Sequence, residues 1–108
     1  MDMVIERYGV YLAPFNPTFG VEMGKTRPCV VISPDELHKA VRTVIVAPLT
    51  GTRKRFPYRI DCVFDGKQGQ IALDQMRSFD RLRFIRHLGQ LDHVTADRMV
   101  RVLLELFR

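Results

Sequence analysis

Two apolar runs separated by a short polar break constrain this chain more than any other feature. CVVIS, from Cys29 to Ser33, and TVIVAPL, from Thr43 to Leu49, flank the polar stretch PDELHKAVR. Runs this short, rich in β-branched residues and unbroken by polar ones, read as strands buried on both faces. The first strand begins at Arg27, with Pro28 at its start, where a missing N–H is tolerated. The second delivers Thr50 at its end. If the two pair, a fixed cation and a hydroxyl come to one edge of a small sheet.

The rest of the chain supplies further short strands. Tyr8 to Leu12 is aromatic and β-branched, and it runs into a loop from Pro14 to Thr26 that is rich in Pro, Asn and Gly. A loop that long in a small domain is usually functional or mobile. Ser33 as N-cap and Pro34 at the first helical position predict a single helical turn through Leu37. Thr50 to Pro57 is a polar, basic connection. Tyr58 to Phe64 alternates as a half-exposed strand, and Asp65 to Gly69 is a hairpin turn. Gln70 to Met76 reads as a further strand, Asp80 to Phe84 as a turn, and Phe84 to Leu88 as a last short strand. Asp92 can cap the one long helix, in which Val94, Met99, Val102, Leu103, Leu106 and Phe107 recur at helical spacing. The expected fold is mainly β, a small curved sheet or barrel closed by a C-terminal α-helix, in one domain spanning all 108 residues.

Charge narrows the choice of partner. Seventeen Lys and Arg against 12 Asp and Glu give a net charge of +5, which favours a polyanion, nucleic acid being the commonest. Arg53, Lys54 and Arg55, interleaved with Phe56, Tyr58 and Arg59, form a segment suited to tracking phosphates and stacking bases. The plain alternative is a solvated basic loop. Cys29 and Cys62 make neither a disulfide scaffold nor a C-x-x-C pair and are expected to be buried thiols in a reducing compartment. The charged start from Met1 to Arg7 and the absence of a long apolar run imply a cytoplasmic protein with no membrane partner. His38, His87 and His93 lack ligand spacing and are expected to be bystanders; no metal or cofactor is expected.

The segments YGVYLAPFNPTFGVEMGKTRPCVVIS, TVIVAPLT, IALDQMRSFD and HLGQL follow one another through nearly the whole chain. With NPT, G-x-E-x-G, RP, PLT and DQ-x-R in this order, the sequence resembles the MazF/PemK family of bacterial toxins. The resemblance implies an SH3-like small barrel of the MazF/PemK/CcdB type and a homodimer. It implies metal-independent endoribonuclease activity on single-stranded RNA, mRNA in the cell. It also implies restraint by a cognate antitoxin, with DNA met only through the toxin–antitoxin complex. By the same resemblance Arg27 and Thr50 are catalytic, Glu22 is an acidic residue usual in the loop, and Asp74, Gln75 and Arg77 match DQ-x-R. Lys25 and Thr26 before Arg27, Gly51 and Thr52 after Thr50, and Arg53 to Phe56 complete the candidate RNA-binding set with Glu22, Gln75 and Arg77. Met23 stands where many members have glutamine, and Ala72 where one branch has an arginine. The chemistry is therefore assigned to Arg27 and Thr50, with no general-base role for Asp74. The runner-up is a CcdB-like binding module that inhibits a topoisomerase without nuclease activity.

These residue types suit the reaction. RNA carries its own nucleophile, the 2′-hydroxyl. The enzyme must align it with phosphorus and neutralise charge on the phosphoryl oxygens. An arginine fork meets phosphate oxygens bidentately, and its high pKa ranks electrostatic stabilisation above proton donation. A threonine hydroxyl can hold a phosphoryl oxygen or orient the 2′-hydroxyl. Taken singly, Arg27 would be a solvated strand-end cation and Thr50 a turn hydroxyl.

Overall fold

Alternation along the strands builds two cores on opposite faces of one sheet. A computed structural model describes residues 3–15 and 25–108; Glu22 and Met23 lie outside the described residues. The strands are β1 (Gly9–Pro14), β2 (Thr26–Val31), β3 (Thr43–Thr50), β4 (Arg59–Phe64), β5 (Lys67–Ala72), β6 (Arg77–Asp80) and β7 (Arg86–Gln90). Helix α1 (Asp35–Ala40) links β2 to β3, and α2 (His93–Leu106) ends the chain. Every pairing is antiparallel. The order is β4-β5-β3-β2-β1-β7, with β6 also paired to β3.

Strand β3 is the hub. Its first half, Thr43 to Val46, pairs with β6, and its end, Leu49 and Thr50, pairs with β5. The centre of β3 pairs with β2 along its other edge. One strand bridging two partners end to end is how a small sheet curls toward a barrel. Residues of one parity, Val30, Ala47, Leu49, Ile60, Cys62 and Ile71, form a core beneath α2 with Ala96 and Met99. Those of the other parity, Tyr11, Phe15, Cys29, Val31, Val44, Val46 and Phe79, form an aromatic-rich core with Phe84.

The expected mainly β architecture with a C-terminal helix is borne out, and Asp92 caps α2 by accepting from the Thr95 N–H at 3.0 Å. Two local readings are corrected. Gln70 to Met76 is not one strand: β5 stops at Ala72, a 3-10 turn spans Leu73–Gln75, and Arg77–Asp80 is a separate strand. Ser33 does not cap α1. Its Oγ accepts from the Ile45 N–H at 3.0 Å and lies 2.7 Å from His38 Nε2. His38 is thereby a buried structural member of the β2–α1–β3 corner. Both cysteines are free and buried, one in each core. Burial pushes the Cys29 thiol up to about 12. Among the described residues, no helix is long and apolar enough to cross a membrane.

Candidate nucleic-acid interface

The ladder between β2 and β3 runs Val31–Val46, Val30–Ala47, Cys29–Pro48. Carried two residues further, the same register sets Arg27 opposite Thr50. Arg27 shares parity with Cys29 and Val31, and Thr50 with Val44 and Val46. Both therefore belong to the face that carries the aromatic core, just beyond that core's edge. The neighbouring side chains of opposite parity, Pro28 and Leu49, line a cavity of about 430 Å³ with Leu12, Phe64 and Leu88. That cavity borders Thr50 and Gly51 but does not include Arg27.

Thr50 is held firmly. It is 8% exposed, and its Oγ1 accepts from the Thr52 N–H at 3.2 Å. The hydroxyl thus performs the expected turn role while its own hydrogen stays available to donate. On the other edge of β3, Thr50 pairs with Gln70. The next residue, Gly69, packs so tightly that a Cβ there would lie 2.6 Å from the Thr50 carbonyl oxygen. A side chain at that position would push β5 away from Thr50.

Gln70 is the residue that sequence reasoning missed. Buried at 5% exposure, it accepts from the Lys54 N–H at 2.9 Å and donates to the Lys54 carbonyl at 2.9 Å. The same amide nitrogen donates to Asp61 Oδ1 at 3.0 Å. The basic connection after Thr50 is thereby clasped by its backbone to β5. Arg53 reaches Asp61 Oδ2 at 3.3 Å and Gln68 Oε1 at 3.4 Å, which directs it toward β4 and β5. Hydrogen bonds from Gln70 and then Arg53 hold the Asp61 carboxyl below the usual carboxylate range. Lys54, Arg55 and Phe56 are exposed. The Lys54 Nζ lies 5.4 Å and the Arg59 Cζ 5.1 Å from the Phe56 ring centroid.

The DQ-x-R segment divides its duties. Asp74 receives two bonds from Arg59, at 2.6 Å from Nε and 3.0 Å from Nη2. This pairing holds the Asp74 carboxyl below the ordinary range. Gln75 is half-buried and donates to Asp74 Oδ2 at 3.4 Å. Arg77 stands opposite Val46 on the Arg27 face. Its guanidinium lies over Phe15 at 4.7 Å and donates to the Phe15 carbonyl at 3.4 Å. Lys25 and Thr26 are exposed at the entry to β2, and the Lys25 carbonyl accepts from the Phe15 N–H at 3.0 Å. Among the described residues, no three His, Cys, Asp or Glu side chains gather as a metal site.

By register, Arg27, Thr50 and Arg77 fall on one face of the curled sheet, Arg77 lying four residues back along β3 opposite Val46, and Gln70 clasps the basic loop to β5. Residues 6–107 match the family described as PemK-like, MazF-like toxin of type II toxin-antitoxin system. Solved structures agree in fold. MazF from Deinococcus radiodurans superposes with a TM-score of 0.85 at 25% identity, covering 98% of each chain. A mycobacterial endoribonuclease in complex with its cognate antitoxin gives 0.80 at 17% identity, over 95% of this chain and 94% of that one. A MazE–MazF complex from Deinococcus radiodurans gives 0.77 at 21%, over 98% and 97%. The barrel is therefore the SH3-like one expected, and the chain belongs to the PemK-like, MazF-like toxins of type II toxin–antitoxin systems.

Proposed function

We propose that this toxin is a metal-independent endoribonuclease that cleaves single-stranded RNA at Arg27 and Thr50. The observation that carries the reading is the β2–β3 register, whose last pair is Cys29–Pro48 and which, continued two residues, sets Arg27 opposite Thr50. In the reaction, the 2′-oxygen attacks phosphorus and the bond to the 5′-oxygen breaks. The 2′-hydroxyl gives up its proton to water and the departing 5′-oxygen takes one from water. The products are a 2′,3′-cyclic phosphate and a free 5′-hydroxyl. Arg27 neutralises charge on the phosphoryl oxygens, and Thr50 donates its free hydroxyl hydrogen to one of them. Lys25, Thr26, Gly51, Thr52, Lys54, Arg55, Phe56, Gln75 and Arg77 line the RNA path, with Arg53 at its edge. The working form is a homodimer, and a cognate antitoxin restrains it, as in the complexes formed by relatives of the same fold.

The test uses an RNA with a mapped cut site, in EDTA. A single 2′-deoxy substitution at the nucleotide before the scissile phosphate is expected to abolish cleavage and leave binding intact. Arg27→Ala is expected to slow cleavage by about 10² to 10³, the usual loss for one preorganised donor. Cleavage of the deoxy RNA, or a requirement for a divalent metal, refutes the mechanism. Absence of any cleavage refutes the nuclease reading.

A further inference from the structure

Phe56 is an apolar ring with half its surface, 50%, open to solvent. Single exposed apolar residues are common and need no explanation. What stands behind this one is unusual. The Arg59 guanidinium lies against the ring at 5.1 Å, yet the Arg59 side chain is only 4% exposed. That buried fork is fixed by two hydrogen bonds to Asp74, at 2.6 and 3.0 Å. Arg59 also sits in the β4–β5 ladder opposite Ala72.

The backbone on either side of the ring is pinned as well. Gln70 clasps Lys54 two residues before it. Pro57 follows, and then Tyr58, whose φ of 65° puts it in the left-handed region, with its carbonyl accepting from the Leu73 N–H at 3.3 Å. A non-glycine residue persists there only where its surroundings fix it. The ring is flanked by the fixed Arg59 guanidinium and by the Lys54 ammonium, 5.4 Å from its centroid on an exposed and displaceable side chain, so its open half can take a planar partner at little ordering cost.

We propose that Phe56 is the platform of a nucleobase subsite, and that Arg59 and Asp74 are its positioning residues. This rests on the RNA reading above and extends it. The ligand is one base of the single-stranded RNA, stacked on the open part of the ring. Asp74 then serves recognition by locking Arg59 and takes no proton in the chemistry.

The experiment measures binding of the uncleavable deoxy-substituted RNA and of a set of RNAs each lacking one base. Phe56→Ala is expected to weaken binding by about 5- to 150-fold, the range for one base–aromatic stack, without changing the salt slope. Phe56→Leu, which keeps an apolar side chain, is expected to lose most of the same factor. One abasic position should weaken the wild-type complex comparably and be indifferent to Phe56→Ala. Asp74→Asn and Arg59→Lys should lose sensitivity to that same position, and their effects should not add to that of Phe56→Ala. An abasic scan that Phe56→Ala leaves unchanged at every position overturns the subsite. So does an Asp74→Asn loss that adds fully to the Phe56→Ala loss. If the wild type still cuts RNA in an Arg27-dependent way, only the subsite falls; if it neither binds nor cuts RNA, both readings fall.

Discussion

Replacing Gln70 with methionine removes the clasp on the loop while nearly conserving volume. Three hydrogen bonds disappear: two to the backbone of Lys54 and one to Asp61. Asp61 is exposed and regains water, so its bond is left out of the balance. The pair to Lys54 involves neutral groups, and each such bond contributes about 0.5–1.5 kcal/mol net. The expected loss is about 1–2 kcal/mol, since the freed backbone groups are rehydrated in part. At about 4–8 °C per kcal/mol for a domain near this size, Tm falls by about 5–15 °C. On the RNA-binding role proposed for the loop, the cleavage assay should show a raised KM with kcat largely kept, because the loop is loosened while Arg27 and Thr50 stay in place. Gln70→Glu gives a sharper signature. An ionised carboxylate accepts from the Lys54 N–H but faces the Lys54 carbonyl and Asp61 as another acceptor. Its folded pKa is raised, so the variant is destabilised above the ordinary carboxylate range and recovers as pH falls below it. Unfolding of both variants from pH 4 to pH 8 checks this. An unchanged Tm for Gln70→Met, or a pH-independent deficit for Gln70→Glu, refutes the clasp.

Gly69→Ala should force β5 off Thr50, because the new Cβ would meet a backbone oxygen at 2.6 Å. The expected cost is about 1–3 kcal/mol of stability with a parallel loss of cleavage, read by denaturant unfolding and single-turnover kinetics. Cys29, whose thiol burial holds at about 12, should resist alkylation at pH 8 until the protein unfolds; native-state labelling at the rate of a free thiol would contradict its burial. The depressed pKa of Asp74 makes its pairing with Arg59 complete above the usual carboxylate range. The pairing is lost as pH falls through that depressed value, so an Asp74→Asn variant should differ from wild type in stability at neutral pH and converge with it in acid.

The β2–β3 pairing was legible because both strands are unbroken apolar runs, and the position of Arg27 and Thr50 follows from where those runs stop. Asp92 was legible as a cap because the signal is local. The division of Gln70 to Met76 was not. Ile71, Ala72 and Leu73 are all buried, so hydropathy gives no sign that the ladder ends and a 3-10 turn intervenes. Ser33 has the right type and spacing for a cap, but it is drawn away by His38 and the Ile45 N–H, partners fixed only by tertiary structure. Arg59, Asp61 and Gln70 are the polar positions of two alternating strands. Their roles depend on the β4–β5 register and on a loop folding back over it, neither of which one sequence displays.

The clasp on the loop reads backbone atoms. Gln70 holds the N–H and C=O of residue 54, groups that every residue except proline supplies in full. The side chains at 54, 55 and 56 can therefore be exchanged during divergence without loosening the backbone clasp to β5. On the RNA reading proposed above, a toxin built this way can drift in which bases it favours without disturbing Arg27 and Thr50.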